Sequence, residues 1–120
     1  MKARHQITRL LKQWLQLTHN ESHALQIGRW TGAAKIQRAK DLLQPTVTEA
    51  LEAWRIESPD EPAFHLVFNS IERLRDLEAH HSELLAVRKR EVREKILLLE
   101  QALHDLYFFG PSFAQSSEAA

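Results

Sequence analysis

Seven histidines in 120 residues raise the question of metal first. His19 and His23 stand four apart, which stacks them on one face of a helix at a spacing that can chelate zinc. His80 and His81 are adjacent and point in different directions. The H-E-x-x-H zincin pattern is absent, because H-N-E-S-H places its glutamate differently. No third ligand accompanies either pair at metal spacing, so we read polar histidines on the rim of a helix face and expect no metal and no other cofactor.

The glycines are the next candidates. I-G-R-W-T-G-A-A-K, Ile27 to Lys35, places Gly28 and Gly32 around Trp30. A phosphate-binding loop requires G-x-x-x-x-G-K-[ST] after a buried strand. Here the spacing is shorter, Ala33 follows the second glycine and helical pattern precedes the first. No serine or threonine lies in a nucleophile motif, and no isolated carboxylate pair sits in an apolar setting. Acidic residues fall three or four positions from Lys or Arg, as in Glu91/Lys95, the pattern of solvated helix faces. The absence of cysteine removes thiolate chemistry and disulfides together. These features predict a protein that is not an enzyme.

Nucleic acid is disfavoured on similar grounds. The run R-K-R-E-V-R-E-K, Arg88 to Lys95, interleaves two glutamates and lacks nearby stacking aromatics, so it reads as a solvated face. Lys plus Arg equals Asp plus Glu, 16 against 16. Residues 1–56 nevertheless hold nine basic and four acidic side chains, and residues 57–120 hold seven and twelve. Oppositely charged halves attract each other, or a second copy of the chain. No apolar run approaches the ~18 residues of a membrane span, and the first residues lack a signal-peptide core. The expectation is a cytoplasmic protein without membrane insertion.

The elements that would position these groups are all helical. Helix formers dominate and no stretch keeps a period of two. Apolar residues recur at helical spacing through Ile7, Leu11, Trp14 and Leu25, and then through Ile36, Ala39, Leu43, Val47, Ala50 and Trp54. The breaker Glu57–Pro62 ends this region and starts the next, by a cap at Ser58, Asp60 or Glu61. A second region follows from Ala63 through Val67, Ile71, Leu74, Leu77, Leu84, Leu85, Val92, Ile96, Leu99, Leu103 and Leu106, and Gly110-Pro111 stops it. The domain is 1–110, with a polar tail over 111–120 expected to be disordered.

Two readings of the glycines remain open. Gly28 can be the residue just past a helix end, with Thr31 capping the next helix, which gives a three-helix bundle. Alternatively the apolar phase carries across, so that Gly28 and Gly32 mark a kink at a close helix contact. We favour the second: a long antiparallel helical hairpin with arms of about 80 and 70 Å. Val67/Phe68 and the stretch Ile96–Phe109 carry apolar groups on more than one face. Pairing of two hairpins into a four-helix bundle, hence a homodimer, would bury them. Leu99, Leu103 and Leu106 belong on the seam, while Leu97, Leu98, Tyr107, Phe108 and Phe109 spread around the helix. That segment is either core and dimer interface or a groove for an amphipathic helix of another protein.

Leu11–Leu25 has the form L-x-x-W-L-x-L-T-x-x-E-x-x-A-L, followed by G-x-W and by Q-x-x-K-x-L-L at Gln37–Leu43, and the second half ends in L-Y-F-F-G. In this layout, over residues 7–110, the chain resembles bacterial flagellar export chaperones of the FlgN type, related to the FliT type. Arg29 departs from the acidic residue common after the glycine. The resemblance implies a non-enzymatic chaperone in flagellum biogenesis and type III protein export. It would hold an amphipathic helix of a hook-associated or related client against the segment Val92 to Phe109, through Val92, Ile96, Leu99, Leu103, Leu106, Tyr107, Phe108 and Phe109, and deliver it to the export apparatus. The alternative is a homodimeric helical adaptor or structural protein without a flagellar role.

Overall fold

The computed structural model describes residues 2–79 and 84–108. His80, His81, Phe109, the Gly110-Pro111 stop and the expected tail 111–120 lie outside the described residues. Four helices follow one another: α1 Lys2–Gln26, α2 Trp30–Glu57, α3 Pro62–Ala79 and α4 Leu85–Phe108. Among the described residues there is no strand, so the chain is all-α. Helix α1 packs along both α2 and α4, and α3 packs along α4, while α2 and α3 approach each other sparsely. The result is an antiparallel four-helix bundle with α2 and α4 at opposite corners.

Both expected long arms are folded in two, so one chain closes the bundle that the sequence reading built from two hairpins. The longest dimension is 52 Å and the radius of gyration 15.6 Å, well short of an ~80 Å arm. The first arm turns at Gly28, whose φ is +75°. The Gly28 N–H donates to the Leu25 carbonyl at 3.2 Å and the Arg29 N–H to the Ala24 carbonyl at 2.8 Å. These are the two bonds of a Schellman ending, with glycine in the left-handed position that side chains disfavour. Thr31 does not cap α2. Arg29 occupies that place, and its side chain makes no capping bond.

Gly32 is correspondingly not a close-contact point. A Cβ there would meet the Cβ atoms of Arg29 and Ala24 at 3.8 and 3.9 Å, ordinary van der Waals distance. The second arm is interrupted between Ala79 and Leu85. At the breaker, Pro62 takes the first position of α3, where its missing N–H is not needed.

The larger apolar cluster occupies the end of the bundle where α1 begins and α4 ends. Trp14 and Trp54 are its largest side chains, fully buried, packed with Ile7, Leu11, Val47, Val67, Ile71, Leu74 and Leu99. A smaller cluster of Ala24, Leu25, Ala33 and Val92 lies toward the other end. Near the start of α1 and the end of α4, Glu61 accepts hydrogen bonds from Trp54 Nε1 and from Arg4. Arg4 also donates to the Leu106 carbonyl at 3.0 Å, a free acceptor at a helix C-terminus. One carboxylate thus ties α1, α2 and α3 together, and its arginine reaches α4.

The two glycines respond oppositely to alanine. Gly28→Ala forces a Cβ into the left-handed region and lowers stability by about 1–2 kcal/mol. Gly32→Ala replaces a helical glycine where space exists and raises stability by roughly 0.5–1 kcal/mol. Urea unfolding followed by circular dichroism reads both; equal effects at the two sites would contradict the turn.

Candidate functional site

Between the two apolar clusters every helix contributes a buried charged side chain: Glu21 from α1, Lys40 from α2, Glu78 from α3 and Lys95 from α4. Lys40 is the hub. Its Nζ lies 2.7 Å from Glu21 Oε1 and 2.9 Å from Glu78 Oε1, and 3.4 Å from the Thr18 hydroxyl. Glu78 also accepts from Gln37 Nε2 at 2.6 Å and from Trp14 Nε1 at 3.3 Å. Arg88 reaches in from α4, donating to Glu21 and, at 2.7 Å, to the side-chain Oε1 of Gln37.

Lys95 is held more loosely. Its Nζ is 3.2 Å from Glu78 Oε2, but the angles make no hydrogen bond and the group has no other partner within reach. Burial and the like charge of Lys40 push its pKa below the usual lysine range, against the pull of Glu78. Burial alone would raise the Glu78 carboxyl. Lys40 and Lys95, with the Gln37 amide, outweigh it and hold Glu78 at about 2 instead of 4.5. Glu21, Lys40 and Lys95 are closed to solvent, so in this conformation the layer's charges are met only by one another and by the side chains of Thr18, Gln37, Trp14 and Arg88. Its chemistry is that of a pin.

The layer overturns two sequence expectations. The run Arg88–Lys95 is not wholly a solvated face, because Arg88 and Lys95 turn inward. Glu91 and Lys95 do not pair on the surface: Glu91 lies 3.8 Å from Arg88 and Lys95 faces Glu78. Each layer residue sits on the seam of its helix, three or four positions from apolar core residues. Thr18 and Glu21 fall between Trp14 and Leu25, Glu78 follows Leu74, and Lys95 lies between Val92 and Leu99. Polar residues at seam positions in all four helices are the signal that could have found it.

The segment expected to bind a partner is divided by the bundle. Val92, Leu99 and Leu106 are buried, and Ile96 and Leu103 pack against the clusters. These five form no open surface in the folded protein. Tyr107 and Phe108 are exposed, and Phe109 lies outside the described residues. Leu97, one of the apolar residues that spread around the helix, is 63% exposed and Phe108 60% exposed. Eleven residues apart, they share one face of α4 with Gln101 and His104, and Phe108 stacks on His104 at 4.4 Å between ring centroids.

No protein-family model, curated protein or solved structure matches this chain.

The remaining sequence candidates are quickly placed. His19 and His23 are exposed on α1. Among the described residues no three His, Cys, Asp or Glu side chains are grouped to hold a metal ion, and no helix is long and apolar enough to cross a membrane.

The two buried lysines differ in what they hold together. Lys40→Met strips the close cation from two buried carboxylates and costs about 3–5 kcal/mol. Lys95→Met removes a desolvated ammonium that makes no hydrogen bond, and costs less than about 1 kcal/mol. Denaturant unfolding at neutral pH orders them; equal losses would refute the hub. Glu78 binds a proton less readily folded than unfolded, so its contribution is complete above pH ~5. It fades as pH falls toward 2 and is on the order of 3 kcal/mol in total. A Glu78→Gln variant therefore loses most of the stability slope across that acid range.

Proposed function

We propose that this chain is a non-enzymatic helical binding protein of the flagellar export chaperone type, holding an amphipathic helix of a hook-associated or related client. The observation that carries the reading is the outer stripe of α4, where Leu97 and Phe108 stay largely exposed while the inner side of the same helix is spent on the core. The stripe has the i, i+4, i+7, i+11 spacing of a helix-binding face, with apolar anchors at its two ends, Leu97 and Phe108, and Gln101 and His104 between them. Tyr107 flanks it, with the Lys12 ammonium 5.4 Å from its ring centroid.

Further support comes from the residues behind the resemblance. Trp14, Thr18, Glu21, Gln37 and Lys40 belong to the motifs quoted above, and all five join the buried polar layer. A pattern of this kind is more specific than leucine periodicity, because it needs matched charges at matched heights. On this reading the layer sets the bundle's shape and the outside of α4 does the binding. Delivery to an export apparatus in the cytoplasm belongs to the same proposal.

Co-purification with candidate flagellar clients tests it. Leu97→Asp combined with Phe108→Asp changes only exposed positions, so the helical spectrum and unfolding midpoint should stay close to the wild type. Client capture should fall about 30- to 150-fold, the effect of removing two apolar contacts of roughly 1–1.5 kcal/mol each. Undiminished capture by the folded double variant would overturn this assignment of the surface.

A further inference from the structure

The outer face of α2 has an order that the bundle does not use. Lys35, Leu42 and Glu49 follow one another at heptad spacing, with Arg38, Pro45 and Glu52 three residues after each, and all six are exposed. Leu42, at the centre, is 80% exposed. Along this face the helix therefore reads basic, apolar, acidic. Among the described residues Lys35, Arg38 and Glu49 enter no salt bridge, and Glu52 meets only Arg55 on its own helix, an exposed pair of the kind that contributes little.

This order is self-complementary under a two-fold rotation. An axis crossing α2 between Leu43 and Gln44 would set Lys35 opposite a second copy's Glu52, Arg38 opposite its Glu49, and Leu42 opposite its Pro45. Each contact occurs twice, as an isologous interface requires. A parallel pairing would instead oppose lysine to lysine and glutamate to glutamate. The stretch from Lys35 to Glu52 covers about 26 Å, half the 52 Å length of the molecule.

We infer that two copies of this chain associate antiparallel through the outer faces of their α2 helices, with a Leu42–Pro45 contact on each side of the two-fold axis. Pro45 suits the position. It lies inside α2 on an exposed face, and its ring adds apolar surface where Leu42 of the other copy arrives. The inference does not rest on the client reading. Because α2 and α4 occupy opposite corners, dimerisation leaves Leu97 and Phe108 accessible.

Sedimentation equilibrium on the whole chain at low salt tests it, with helicity checked by circular dichroism. The wild type should dimerise with a dissociation constant in the micromolar range, about 10–100 µM for a small polar interface. Leu42→Asp should weaken association at least ten-fold. Lys35→Glu with Arg38→Glu makes the face uniformly acidic, and Glu49→Lys with Glu52→Lys makes it uniformly basic. Each double variant alone should be monomeric, and an equimolar mixture of the two should form a heterodimer. A wild type that stays monomeric at about 500 µM, a dimer indifferent to Leu42→Asp, or folded charge variants that fail to associate when mixed would each overturn the proposal.

Discussion

The contact on which the bundle depends is Lys40 between Glu21 and Glu78. An ammonium and two carboxylates removed from water are costly apart and tolerable only together. Their helices must therefore arrive with these three side chains at one height. A slip of α2 by one turn, about 5.4 Å, would bring Leu43 to the two carboxylates and leave Lys40 in an apolar layer. Leucine periodicity alone permits such slips, since one leucine layer resembles the next. The charges remove that degeneracy, and Gln37 and Arg88 extend the constraint by bonding across helices at the same level.

The layer also divides the interior. On one side lies the large cluster around Trp14 and Trp54; on the other, four small or medium residues with Ile36 and Ile96 beside them. The end with less apolar burial is also the end closed by the Gly28 turn. At the opposite end the helices are tied by Glu61 and Arg4, which join polar groups from all four elements. Charge is thus placed where apolar packing gives out, at the middle of the bundle and at its terminal edge.

Much of this architecture could be read from the residues. Helical periodicity, the breaker at Glu57–Pro62 and the seam residues Ile7, Leu11, Trp14, Val47 and Trp54 were all visible. The Gly28 turn was one of two open readings and the less favoured, because the apolar phase runs through it. A three-residue connection happened to restore the helical register, so periodicity carried no sign of reversal. The break between α3 and α4 lacks glycine and proline, the usual markers. The charge layer was missed for a different reason. Ala39, Leu77 and Ile96 were assigned to the seam, and Lys40, Glu78 and Lys95 stand one residue away from them. A rule that prefers apolar residues chose the neighbour each time, yet the buried ion network favours the charged one. Glu21 and Lys40 were quoted within a resemblance, but their separation by 19 positions hides a contact that only the fold creates.

The same correction changes how the C-terminal helix is understood. An apolar surplus in a two-helix hairpin demands a partner, whereas a chain that folds back twice supplies its own. Val92, Leu99 and Leu106 of α4 are consumed by α1 and α3 before any partner arrives. What remains outside is scattered and mixed: Leu97, Phe108 and Tyr107 on α4, Leu42 among charges on α2, and others such as Trp30, Ile56, Leu66 and Leu84. Interfaces built from such stripes take their specificity from the placement of a few anchors and charges rather than from buried area. They suit contacts that form and dissolve while the bundle, held by its internal ion network, keeps one shape.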